Sequence, residues 1–124
     1  MTNSKKLGEF GEEIAQKHLK KKGYKILAKN FKRKWGEIDI VAKRKKSISF
    51  VEVKTIFQNR DFYPEDEINQ KKKRQLRKMA QIYLREFKIP LESPWQIDII
   101  TIEISPDLKR AKIRHYKNAI EDVY

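Results

Sequence analysis

The chain has 124 residues, which suits one domain built around a single modest core. Thirty Lys and Arg stand against 17 Asp and Glu, a net charge of +13 that points to a polyanionic partner, with nucleic acid ahead of an anionic membrane surface. The absence of cysteine excludes a disulfide framework and a thiolate metal site, and neither MTNSKKLGEFGEE nor any later run is apolar enough for a leader or a membrane span, so a cytoplasmic protein is expected.

Between residues 4 and 22, Leu7, Phe10, Gly11, Ile14, Ala15, His18 and Leu19 recur at helical spacing, with Ser4 as the expected N-cap and Gly23 as the stop. Glu12 falls beside Gly8, Ala15 and Leu19 at the edge of the apolar stripe, whereas Glu9 and Glu13 turn to solvent. The positions three and four away from Glu12 hold no base to pair with it along the helix. Gly8 and Gly11 each cost a helix about 1 kcal/mol and are tolerable where its backbone packs tightly on something. From Tyr24 to Thr55 the pattern becomes β-rich: YKILAKNF, EIDIVA and SISFVEVK read as a three-strand meander, with KRKK as the tight connection between the last two.

Helical period returns over 65–87, placing Ile68, Lys72, Leu76, Met79, Ala80, Tyr83 and Phe87 on one stripe, and Pro90 and Pro94 punctuate the exit. WQIDIITIEI is a buried strand, Pro106-Asp107 a turn, and AKIRHYKNA a weaker final strand or an extended tail. The order α-β-β-β-α-β, open to one more strand, belongs to the α/β class. No repeat or linker divides it, so 1–124 is expected to be one domain.

Charge interrupts the apolar runs of the second and third strands. Alternation puts Ile48, Phe50, Glu52 and Lys54 on one face, and Glu37, Asp39 and Val41 on a face opposite Ile38, Ile40 and Ala42. Pairing through KRKK sets Ala42 against Ser47 and Asp39 against Phe50, which makes Asp39 and Glu52 diagonal neighbours. An uncompensated carboxylate there costs several kcal/mol, roughly, so the pair needs a partner. One candidate is an ion pair of Glu52 with Lys54 at a solvated strand end. The other is a hard cation, Ca²⁺ or Mg²⁺, held by both carboxylates. Such an ion activates water and neutralises charge on a phosphodiester, while Lys54 orients the nucleophile or stabilises the transition state. Helix geometry can add Glu12.

Basic runs flank these acids: nine Lys/Arg and no acid from Lys17 to Lys34, and six more in KKKRQLRK, residues 71–78. Lys32, Arg33, Lys34, Lys71, Lys73 and Arg74, with Arg60 from the intervening loop, suit phosphate tracks. Phe57, Phe62 and Tyr63 can stack or wedge at a branched or frayed substrate.

Together Glu12, G-E-I-D at Gly36 to Asp39 and V-E-V-K at Val51 to Lys54 resemble the PD-(D/E)xK nuclease superfamily. Within it the chain resembles the YraN family, bacterial proteins similar to archaeal Holliday-junction resolvases. The likeness runs from G-E-x-x-A at Gly11, through Gly23-Tyr24, the N-x-x-x-x-x-G-E-I-D block from Asn30 and F-V-E-V-K from Phe50, to Lys72, Asp98 and Asn118-Ala119. It implies a restriction-endonuclease-like mixed sheet and metal-dependent cleavage of DNA, branched or junction DNA included. Asp39 and Glu52 would be ligands of Mg²⁺ (or Mn²⁺), Lys54 the catalytic lysine, Glu12 a further acid and Lys72 an accessory site residue; Asp98 is read as structural. A homodimer is compatible with the likeness. A non-catalytic nucleic-acid-binding protein that keeps the fold is the alternative. Two places depart from the family pattern: Gln96 stands where relatives usually carry Arg, and TIFQNRDFYPED lacks a glycine common in that region.

Overall fold

Helix α1 (Thr2–Lys21) ends because Gly23 adopts φ +90°. That left-handed residue lets the Tyr24 N–H reach Leu19 O at 3.0 Å and its own N–H reach Lys20 O at 3.1 Å, closing the last turn. In the computed structural model residues 2–58 and 68–120 are described, with side chains from Lys5 onward. The helix begins upstream of Ser4, so Ser4 is not its cap; no proline or glycine interrupts Thr2 to Ser4. Among the described residues no helix is long and apolar enough to cross a membrane.

Three strands follow, β1 (Lys25–Arg33), β2 (Gly36–Arg44) and β3 (Ser47–Phe57), then α2 (Gln70–Glu86), β4 (Trp95–Ile104) and β5 (Ala111–Tyr116). The sheet runs β1-β2-β3-β4-β5, antiparallel throughout except for β3 and β4, which are parallel and joined by the α2 crossover. AKIRHY is therefore a true edge strand. The mixed sheet with helices on its faces is that of a restriction-endonuclease-like α/β fold.

Each helix covers one face of the sheet. On the α2 side Phe31, Ile48, Phe50, Leu76, Met79 and Tyr83 pack with Ile97 and Ile99. On the α1 side Ala15, Leu19, Ile40, Val51, Ile100 and Ile102 form the second core. The stripe expected over 65–87 buries Leu76, Met79, Ala80 and Tyr83, but the helix itself starts at Gln70, where the Asn69 side chain accepts the Lys72 N–H at 2.9 Å. Ile68 is buried ahead of it, and Phe87 stacks on Tyr83 at 4.4 Å from a largely exposed position.

The connection between β2 and β3 is two residues rather than four. Arg44 pairs with Ser47 around Lys45-Lys46, with Lys45 at φ +57°, as a tight hairpin turn requires. Ala42 is consequently paired with Ser49, not Ser47, and Val41 with Phe50. The shorter turn shifts the register by two from that expectation, which moves the acids along the sheet without turning them to the other face.

Candidate active site

Gly11 sets α1 against β3. A Cβ at that position would collide with the Thr55 side chain, whereas one at Gly8 would meet nothing, so only Gly11 is explained by close packing. The contact places Glu12, the next residue, over the point where β2 and β3 part.

Their ladder reaches Ile40↔Val51 and stops. One step further lie Asp39 and Glu52. The Val53 N–H, instead of continuing the ladder, donates to Asp39 Oδ2 at 2.8 Å. On the other side of β2, Lys29 pairs with Ile40 and Phe31 with Ile38, while Asn30 between them sits at φ +51°. Alternation breaks here. Ile38 joins the α2-side core with Val41, and Ile40 and Ala42 the α1-side core, which corrects the expectation that Ile38 shares a face with Ile40. The left-handed Asn30, a conformation Asn tolerates, coincides with this break, although the β1–β2 register is unchanged across it and shifts only between Ile26 and Ala28.

The acids gather at this break. Glu52 is buried, and its Oε2 lies 3.4 Å from Lys72 Nζ and 3.7 Å from Lys54 Nζ, so both lysines expected at the site converge on one carboxylate oxygen. Asp39 stands opposite Glu52 when the register is continued one step. Burial, then the Glu52 charge, push its pKa up to about 8 against the opposing Val53 N–H. Glu12 is also raised, by burial first and then by Glu37, Glu52 and Glu9. It joins the group through Asn30, whose amide nitrogen donates to Glu12 Oε1 at 3.1 Å and Glu37 Oε2 at 3.2 Å in the orientation that satisfies both. Asn30 and Glu37 stand in the N-x-x-x-x-x-G-E-I-D block, but the sequence reading gives neither a role at the site. An asparagine inside a β-rich run was the available signal.

The donor chemistry fits a hard cation. Asp39 and Glu52 offer carboxylate oxygens in a place where they repel each other, and a divalent ion relieves that repulsion. Among the described residues no three acidic, imidazole or thiolate groups form a metal cage. Two carboxylates suit Mg²⁺, which is commonly held by one or two carboxylates and completes its shell with water and phosphate oxygens. Thr101, register partner of Lys54, buries a hydroxyl with no hydrogen-bond partner among the described residues, another polar group that the protein itself leaves unmatched.

Asp98 is different. Fully buried, it accepts from Gln96 Nε2 at 2.8 Å and the Asn118 N–H at 2.9 Å and bonds His115 Nε2 at 2.8 Å. All of these partners lie within the fold, so the protein itself matches this carboxylate. Gln96 serves it, which gives that position a role inside the fold.

The basic tracks meet beside the acids. Gln75 Nε2 donates to Trp35 O at 3.0 Å, and Lys78 Nζ stands 4.9 Å from the Trp35 ring centroid, so the β1–β2 hairpin is fastened to α2. Lys34 Nζ stands 5.9 Å from the same ring, so Lys34 and Lys78 flank half-exposed Trp35, whereas Lys73 lies about 160° round α2 from Gln75 and Lys32 alternates away from the Phe31 side of the sheet. Arg33 is otherwise engaged: its guanidinium bonds Glu86 at 2.6 and 2.9 Å and covers the Phe31 ring. Arg60, Phe62 and Tyr63 lie outside the described residues.

Residues 11–102 match the model of the Uncharacterised protein family UPF0102. A UPF0102 protein of Caldanaerobacter subterraneus is 42% identical over 118 residues, 94% of this chain and 96% of that one. Relatives from Alkaliphilus oremlandii and Syntrophomonas wolfei are 40% and 39% identical, each over 94% of this chain and 98% of their own. The matched span takes in Glu12, Asp39, Glu52, Lys54 and Lys72. The chain belongs to UPF0102, the YraN family.

Proposed function

We propose that this protein is a divalent-cation-dependent DNA endonuclease that acts on branched DNA, with Asp39 and Glu52 as the cation-holding pair. The observation that carries this reading is the placement of two carboxylates side by side at a strand break, one of them pushed up to about 8, with two lysines on the second. An isolated structural ion pair needs neither the second acid nor the second lysine.

When bound, Mg²⁺ or Mn²⁺ supplies charge neutralisation on the scissile phosphate and a more acidic water. The chain's own residues do the rest. Asp39 gives up its proton to serve as a ligand, and its Val53 N–H bond fixes which oxygen remains available. Lys54, on the same face two residues past Glu52, stays about one-third exposed and reaches a phosphate oxygen or the attacking water. Lys72 approaches from α2 and keeps Glu52 oriented. Lys34 and Lys78 beside Trp35 hold the phosphate backbone alongside, and Lys32, Lys71, Lys73 and Arg74 add positive charge on the neighbouring faces of β1 and α2.

The test is a panel of labelled branched, nicked and linear DNAs incubated with Mg²⁺, Mn²⁺ or chelator. Cleavage that requires the ion and favours branched substrates is expected. Salt-sensitive binding to every substrate with no cutting under any ion would replace this reading with a non-catalytic nucleic-acid-binding protein.

A further inference from the structure

The sheet face beneath α1 changes character where the helix ends. Under the helix it is floored by Val51, Ile100 and Ile102. Past Gly23 the same alternation brings up Ser49, Gln96 and Asp98. Ser49 and Asp98 are buried, and Asp98 is already matched by three donors, so this polar floor carries no free acid.

Two adjoining cavities stand over it, of about 300 and 280 Å³, with Tyr24, Arg44 and Lys117 as shared walls. The Lys45-Lys46 turn and Ser47 close the first, and Lys22, His18 and His115 close the second. Among the described residues, Lys22, Arg44, Lys45, Lys46 and Lys117 line the pair with five cations, and no Asp or Glu lines either cavity. Arg44 is held in place: its guanidinium lies 4.5 Å from the Tyr24 ring centroid and donates to Lys22 O at 3.2 Å. A preset guanidinium loses little freedom on meeting an anion. Lysines on a basic surface usually spread to avoid one another; here they surround a recess whose floor and walls offer the hydroxyls of Ser47, Ser49 and Tyr24.

This recess is remote from the carboxylate cluster. Along β3 its floor residue Ser49 precedes Glu52 by three residues and Ser47 by five, and on β2 Arg44 follows Asp39 by five, separations of about 10 to 16 Å at the rise of an extended strand.

We propose that the paired cavities form a second site, one that binds phosphate groups, supplied by a free oligophosphate or nucleotide or by a nucleic-acid strand. It acts as an anchor at the hairpin end of the sheet and does not depend on the chemistry at Asp39 and Glu52.

The chain has two histidines and both line the recess, so their ring signals in NMR report on it directly. The probe is inorganic pyrophosphate, titrated into the full chain in chelator at fixed ionic strength. Saturable shifts of the His18 and His115 signals are expected, with Lys117→Gln and Arg44→Gln each weakening binding about tenfold. Lys20→Gln, which removes an equal charge outside the recess, should leave it unchanged. Stronger response to a nucleoside triphosphate than to a 5′-phosphorylated oligonucleotide assigns the site to free nucleotides, and the reverse assigns it to strands. Absence of saturable shifts with all three probes would overturn the proposal, as would equal shifts from chloride or equal losses in Lys20→Gln and Lys117→Gln. None of these readings requires cleavage.

Discussion

Asp39 and Asp98 are both aspartates set into strands of one sheet, and their surroundings pull them in opposite directions. Asp98 has Gln96, His115 and the Asn118 N–H as partners, and these bonds hold its pKa below the ordinary value despite the burial that acts against them. Asp39 has a single backbone donor and faces Glu52 and Glu12, so burial and like charge raise it to about 8. A carboxylate whose lone pairs are matched by the protein is finished. One that is placed among other acids awaits something positive from outside the fold.

The widest separation should appear in activity. Asp39→Asn keeps an oxygen for the Val53 N–H but loses a charged ligand, and is expected to reduce ion-dependent cleavage at least about 100-fold while DNA binding stays the same or tightens. Glu52→Gln should behave alike. Asp98→Asn, measured on its folded fraction, should retain cleavage within a fewfold; comparable losses at Asp39 and Asp98 would erase the distinction.

Stability should divide the two residues the other way. Asp98→Ala strands the His115 and Gln96 donors and should cost about 3–5 kcal/mol in urea unfolding. Asp39→Asn in chelator should gain about 1–2 kcal/mol near neutral pH by removing an unmatched carboxyl. The pH dependence sharpens this. Because Asp39 binds its proton more tightly folded than unfolded, the metal-free wild type should lose stability as pH rises from about 4 to about 8, a slope that Asp39→Asn should flatten. Asp98 is depressed, so its contribution is present above its ordinary value near 3.8 and is lost as pH falls below it. Unfolding curves across this range check both signs.

A further pair of variants concerns how Glu12 is delivered. Gly11→Ala should destabilise the fold by about 1–3 kcal/mol through its collision with Thr55, and Gly8→Ala should stabilise it by up to about 1 kcal/mol, since space is open there. Thermal melts of the two variants should move in opposite directions.

Much of this was readable in the chain because the period of a strand is two. Ile48 and Phe50 followed by Glu52 and Lys54 on one face required only alternation, and helical phase brought Lys72 inward toward Glu52. Register was harder. KRKK does not disclose that Lys43 and Arg44 stay in the strand while Lys45-Lys46 make the turn, and that count decides whether Asp39 lies diagonal or adjacent to Glu52. The phase break at Asn30 depends on a backbone conformation that residue type permits but does not dictate. The partners of Asp98 were hidden for another reason: His115 and Asn118 come from a weakly patterned edge, and only the completed sheet brings them across.

The central question is whether the Asp39 carboxyl exists to meet a cation. Calorimetric titration of Mn²⁺ into wild type, Asp39→Asn and Asp98→Asn at pH 7 puts that directly. Wild type should bind with release of a proton, because Asp39 must ionise, and so should folded Asp98→Asn, whereas Asp39→Asn should lose both the binding and the proton. Undiminished Mn²⁺ binding by Asp39→Asn, or no binding by the wild type, would contradict it.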